Sequence, residues 1–97
     1  MASNKLVVSS KARTDLRKIY DYIKESLFDK QAADKQSASF RAGFKQVCQL
    51  PNACPKYKDY RKLVVKNYLV FYKFNQDEKT IIVHHVVYGA MDYDRFL

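Results

Sequence analysis

Apolar positions in this chain follow two regimes. From 11 to about 28 they recur at Ala12, Leu16, Ile19, Tyr20, Ile23 and Leu27, in steps of 4, 3, 1, 3 and 4. That is one face of an α-helix. Ser9 and Ser10 stand where a cap is needed, and Asp15 suits the positive end of the helix. A second row, Ala33, Ser37, Phe40, Phe44, Val47 and Leu50, steps 4, 3, 4, 3 and 3. It predicts a second helix, capped by Asp29 and stopped by Pro51. Gly43 lies inside it at a cost of about 1 kcal/mol relative to Ala, which predicts a close approach between the two helices. So short a connection predicts an antiparallel helical hairpin.

Beyond Pro51 the period changes. Residues 51–60 carry both prolines and read as a loop. Residues 61–65, 68–75 and 80–88 are rich in β-formers, with turns at Lys66-Asn67 and at 76–79. Asn67 is the expected positive-φ residue of the first turn. Residues 5–9 read as an opening strand. Gly89 ends the last strand, and 92–97 reads as one helical turn docking Phe96 or Leu97. The predicted fold is α+β in the order β-α-α-β-β-β. A helical hairpin packs on a small, mostly antiparallel sheet, because its apolar stripes must be buried. The 97 residues read as one domain, 1–97.

Charge narrows the partners. Eighteen Lys and Arg against ten Asp and Glu leave +8, which favours an anionic partner: nucleic acid, a membrane surface or an acidic protein. No apolar run approaches the ~20 residues of a membrane span. The opening Met-Ala-Ser-Asn-Lys lacks a signal peptide's apolar core. The expected location is the cytoplasm, with no membrane role. Cys48 and Cys54 fit no common zinc spacing, so they read as reduced structural thiols, with no metal and no cofactor expected.

Four segments in this order are similar to one family. They are the opening strand and cap at 6–12, the helix stretch at 15–23, the hairpin at 61–72, and the last strand and its exit at 86–93. Together they resemble the RelE/ParE superfamily of bacterial type II toxins, in its ParE-like branch. The resemblance implies a small basic toxin neutralised by a cognate antitoxin through an acidic or amphipathic segment. ParE-like members poison DNA gyrase by binding. RelE-like members cleave mRNA on the ribosome without a metal.

The matched positions divide these activities. Where the RelE pattern carries arginines, this chain has Leu69 and Met91, with Ala90 before the latter. One hairpin lysine matches at Lys62, and the second position is Tyr60. The loss of both guanidiniums weakens the phosphate clamp that metal-free cleavage needs. The ParE pattern expects arginine before Asp92, where Ala90-Met91 stand. His84-His85 is the other candidate pair. Adjacent strand residues point to opposite faces, so the two share a site only if a bulge intervenes; otherwise one packs under the helices and one lies open. From 56 to 73 the basic residues Lys56, Lys58, Arg61, Lys62, Lys66 and Lys73 interleave with four tyrosines. That pattern suits nucleic acid, an acidic antitoxin or plain solvation.

Three readings follow. The leading one is a non-enzymatic gyrase poison working through Arg61, Lys62, Lys66, Tyr68, Tyr88, Asp92 and Arg95. The second is a ribosome-dependent mRNA endoribonuclease using Lys62, His84, His85 and Tyr88. The third is a non-toxic member that retains antitoxin binding.

Overall fold

The computed structural model describes residues 4–97, without the Phe96 side chain. Residues 1–3, part of the N-terminal reading, lie outside the described residues, as does the docking expected of the Phe96 side chain. The chain runs β1 (Lys5–Val8), α1 (Ser10–Asp21), a π-helical turn (Tyr22–Ser26), α2 (Lys30–Gln49), β2 (Lys56–Tyr57), β3 (Tyr60–Val65), β4 (Tyr68–Asn75), β5 (Thr80–Tyr88) and a 3-10 turn (Tyr93–Phe96). Two helices pack on a five-stranded mixed sheet of order β1-β5-β4-β3-β2. β1 returns to pair parallel with β5, and every other pair is antiparallel.

The caps explain where the helices start. Ser9 is extended, and its Oγ accepts from the Ala12 N–H at 3.1 Å. Asp29 accepts from the Ala32 N–H at 2.9 Å. Both satisfy first-turn donors that have no intrahelical partner. The first helix ends earlier than its apolar row implies. It loosens into the π turn, where Leu27 N–H donates to the Tyr22 carbonyl at 3.2 Å. Phe28 then adopts φ 53° and is 92% exposed.

The core lies between the helices and one sheet face. Ala12, Phe40, Phe44 and Val47 meet Leu63, Val65, Val70, Tyr72, Ile81, Val83 and Val86. Four local expectations change. The loop at 51–60 holds β2, because Tyr57 pairs with Tyr60 across a two-residue turn. In α2, Gln36 and Cys48 are buried while Leu50 is exposed, since the helix ends at Gln49. Gly43 faces the sheet and not α1: a Cβ there would sit 3.1 Å from Leu63 Cδ2 and 3.2 Å from Val65 Cγ2. In the turn between β3 and β4, Lys66 and not Asn67 takes the positive φ, at 54°. Among the described residues no helix is long and apolar enough to cross a membrane.

Candidate functional site: the open sheet face and the helix-side groove

The sheet face away from the helices carries a second cluster. Leu69, Phe71 and Val87 are buried there beneath Tyr57, Tyr60, Tyr93 and Leu97. Residues opposite one another on neighbouring strands share a face. Lys62 opposite Phe71, and Lys73 opposite Ile82, therefore belong to this open side.

The pairing of β4 with β5 slips once. Phe71 lies opposite His85, whereas Tyr72 lies opposite Val83, leaving His84 as an extra residue. This is a β-bulge, and it resolves the histidine pair. His85 shares the open face with Phe71. The His84 ring turns to the same tyrosine, with Tyr60 centroids 5.6 Å from His84 and 5.4 Å from His85. The Tyr60 hydroxyl lies 3.3 Å from His85 Nε2. His85 Nδ1 is buried without a partner. The bulge on which a shared histidine site depended is thus present, and the regular-strand alternative, with one histidine under the helices, is corrected, because one unpaired residue resets the alternation.

Burial depresses the basicity of both imidazoles. Lys73 adds to the effect at His84, and Lys11 and His84 add to it at His85, while Asp15 opposes it there. Both are held towards the neutral form. Lysines surround the cluster: Lys73 Nζ lies over the Tyr60 ring at 5.0 Å and Lys62 Nζ over the Tyr57 ring at 5.4 Å. Lys58 Nζ reaches Tyr57 at 5.9 Å and pairs with exposed Asp94 at 3.7 Å.

On the other side, a groove of about 1020 Å³ opens between the helical hairpin and the β3–β4 turn. Ile19, Tyr22, Leu27, Tyr68, Tyr88 and Met91 contribute its apolar wall, and Lys11, Lys18, Lys35 and Lys66 its basic rim, with Lys11 paired to Asp15 of the same lining at 2.7 Å. Gln36 lines it, 9% exposed, with a buried Nε2 that has no acceptor. Burial, and then the phenols of Tyr88 and Tyr22, raise the Tyr68 pKa.

Comparisons with known proteins decide the family. The model of "ParE toxin of type II toxin-antitoxin system, parDE" matches residues 6–93. The chain belongs to the ParE toxin family. This ParE-family chain is therefore a type II toxin. A chain from the chromosomal ParDE toxin–antitoxin system of P. aeruginosa shares its fold with TM-score 0.74 at 20% identity, covering 89% of this chain and 96% of that one. A chain of the RelBE2 toxin–antitoxin complex from Mycobacterium tuberculosis gives TM-score 0.62 at 14% identity, covering 94% and 97%. A comparison with curated proteins returned no match.

The sequence-predicted residues of this ParE-family chain separate into groups. Lys62, His84 and His85 share the open face. Tyr88, placed with them on sequence, lies opposite Tyr68 at 5.7 Å between ring centroids, on the helix side. After the bulge, His85 and Val87 point one way and Val86 and Tyr88 the other. Lys66, Tyr68 and Tyr88 line the groove. Arg61 turns away from the open face, and its guanidinium donates to the Cys54 carbonyl at 2.6 Å and the Asn52 carbonyl at 3.3 Å. Asp92 and Arg95 are exposed in the exit segment. Sequence reasoning named Tyr57, Tyr60 and Lys73 in the basic, tyrosine-rich run but left them out of the site sets, and it missed Gln36. Tyr60 was findable by alternation with Lys62, and Gln36 by its step of three from Ala33 and four to Phe40.

Proposed function

We propose that this ParE-family toxin is a cytoplasmic protein, one domain across 1–97, that binds DNA gyrase and holds a gyrase–DNA state in place. The observation that carries this reading is the ParE family match across residues 6–93. The electrostatics of the open face support it. Arg61 is engaged with loop carbonyls, Leu69 is buried and Met91 lies in the groove wall. The open-face cations named above are lysines, which lack the bidentate geometry that suits a phosphate in a transition state.

The groove is assigned to the cognate antitoxin. Its apolar wall with a lysine rim fits an amphipathic helix carrying acidic residues, a helix-in-groove mode of recognition. An acceptor on that helix would satisfy Gln36 Nε2. The P. aeruginosa and M. tuberculosis relatives named above come from toxin–antitoxin assemblies.

The deciding experiment is gyrase supercoiling of plasmid DNA with antitoxin-free toxin. Loss of supercoiling with trapped, cleaved DNA is expected. Unimpaired gyrase at a large excess of folded protein would sink the reading.

The bulge favours a second reading, ribosome-dependent mRNA cleavage. It sets two neutral imidazoles and a phenol beside Lys62 and Lys73, a grouping able to move protons. On that reading His85→Gln abolishes toxicity and leaves antitoxin binding intact. On the gyrase reading it changes toxicity little. Harmless expression of the free, folded wild-type protein would instead mark a non-toxic member.

A further inference from the structure

We infer that the open sheet face is a stacking site for an unpaired nucleic-acid strand, with Tyr57 and Tyr60 as the platform and Lys58, Lys62 and Lys73 as the phosphate contacts. The inference rests on the gyrase reading for its source of strand: the toxin touches the DNA of the gyrase–DNA complex as well as the enzyme.

The argument begins with placement. Tyr57 and Tyr60 are direct cross-strand partners, so their side chains leave the same face of the sheet. Both lean on Phe71, with centroids 5.5 and 6.1 Å away. His84 and His85 brace Tyr60 from a third strand. Rings braced in this way lose little freedom when a base lands on them.

The turn between them is also unusual. Lys58 closes the two-residue connection with φ 54°, a conformation that usually falls to Gly or Asn. A lysine held there keeps a cation at the rim of the platform, where an arriving phosphate would replace its exposed Asp94 partner at 3.7 Å.

The cations then decide the ligand. Each lysine lies over a tyrosine ring at 5.0 to 5.9 Å. Such a contact at a partly exposed site is weak, whereas a base stacked on an aromatic ring is stronger and tolerant of sequence. An arriving strand therefore exchanges positions. Its bases take the ring faces, and the displaced ammonium groups move outward to its phosphates. A duplex offers the phosphates but hides the base faces, so it gains only half of this. An acidic peptide meets the lysines but has no use for the tyrosines.

The test is fluorescence anisotropy on the purified full chain, without gyrase, using a mixed-sequence single-stranded deoxyoligonucleotide, its duplex, the matching ribo-oligonucleotide and polyglutamate. Single-stranded DNA should bind at least tenfold tighter than duplex and outcompete polyglutamate. Tyr60→Leu should weaken it about tenfold, and Tyr60→Phe less than threefold. Lys62→Gln and Lys73→Gln should each reduce the salt slope by roughly 0.7. Thermal unfolding of each variant shows that it is folded. Equal binding of duplex, or of polyglutamate, or an unaffected folded Tyr60→Leu, would overturn the site. Comparable binding of DNA and RNA supports the shared chemistry. A tenfold preference for RNA would overturn the DNA source. If the strand binds as expected while gyrase is untouched, the site stands and the gyrase reading fails.

Discussion

The Tyr60 hydroxyl meets His85 Nε2 at 3.3 Å although their strands, β3 and β5, are not neighbours. Tyr60 reaches across Phe71 on β4, which is fully buried beneath the contact. The bulge at His84 makes this meeting possible, and the protein's behaviour should report it.

Deleting His84 should leave the alternation of β5 intact, because Phe71 and Tyr72 would then face successive residues in a regular ladder. Deleting Val83 should not be tolerated. It pushes His84 into the place opposite Tyr72, inside the core, where Val83 is 1% exposed. An imidazole there costs about 2 kcal/mol or more. Unfolding midpoints within a few degrees of wild type are expected for the first deletion, against a loss of roughly 10 °C or more for the second. Equal losses would disprove the assigned register.

Acid should weaken the fold through the histidines. Burial holds both imidazoles below their ordinary 6.5. As pH falls through 6.5 the unfolded chain binds protons that the folded chain refuses, so stability drops across that window and is fully present above it. Lys73 and Lys11 oppose protonation, and Asp15 favours it. Urea midpoints at pH 5.5 and 7.5 should differ in wild type and converge in the His84→Asn, His85→Gln double variant. An unchanged difference in the double variant would place the effect elsewhere.

Alkali should act through Tyr72. Its ring is 1% exposed and its hydroxyl donates to the Pro51 carbonyl at 2.8 Å. Burial, and then the neighbouring Cys54 thiol, push its pKa well above 10.0. Above pH 10 the unfolded phenol ionises and the folded one does not, so stability declines as pH rises. An ultraviolet titration should leave one tyrosine un-ionised until the chain unfolds. Tyr72→Phe should remove that step and cost about 1 kcal/mol for the lost hydrogen bond.

Two backbone positions should respond in opposite directions. Phe28 has φ 53° with its ring 92% exposed. Phe28→Gly relieves about 1–2 kcal/mol of left-handed strain and loses about 0.4–1 kcal/mol to unfolded-state entropy. A net gain of roughly 0.5 kcal/mol is expected in urea unfolding. Gly43→Ala should lose about 1 kcal/mol: overpacking against Leu63 and Val65 outweighs the better helix propensity. A stabilised Gly43→Ala would show that the sheet yields there.

Much of the fold was legible locally. Helical periods at 12–27 and 33–50, the caps Ser9 and Asp29, and Pro51 each act through residues a few positions away, so order alone reveals them. The end of α1 was less legible, since Leu27 keeps the helical spacing while the chain has already left the α-helix at Tyr22. The candidate site was legible as an inventory of lysines, tyrosines and two histidines, and not as an arrangement.

The sequence by itself determined the helical hairpin, the run of strands and the basic surplus, because periodicity, capping and charge are properties of neighbours along the chain. Tertiary structure alone decided which of these residues meet. Alternation in a strand has only two phases, and one unpaired residue exchanges them. The apolar steps Ile81, Val83 and Val86 lengthen from two to three where His84 bulges. Flanking Ile82 and Val87 hide that slip until β4 supplies the pairing. By that pairing His85 joins Lys62 on the open face, and Tyr88 goes to the groove.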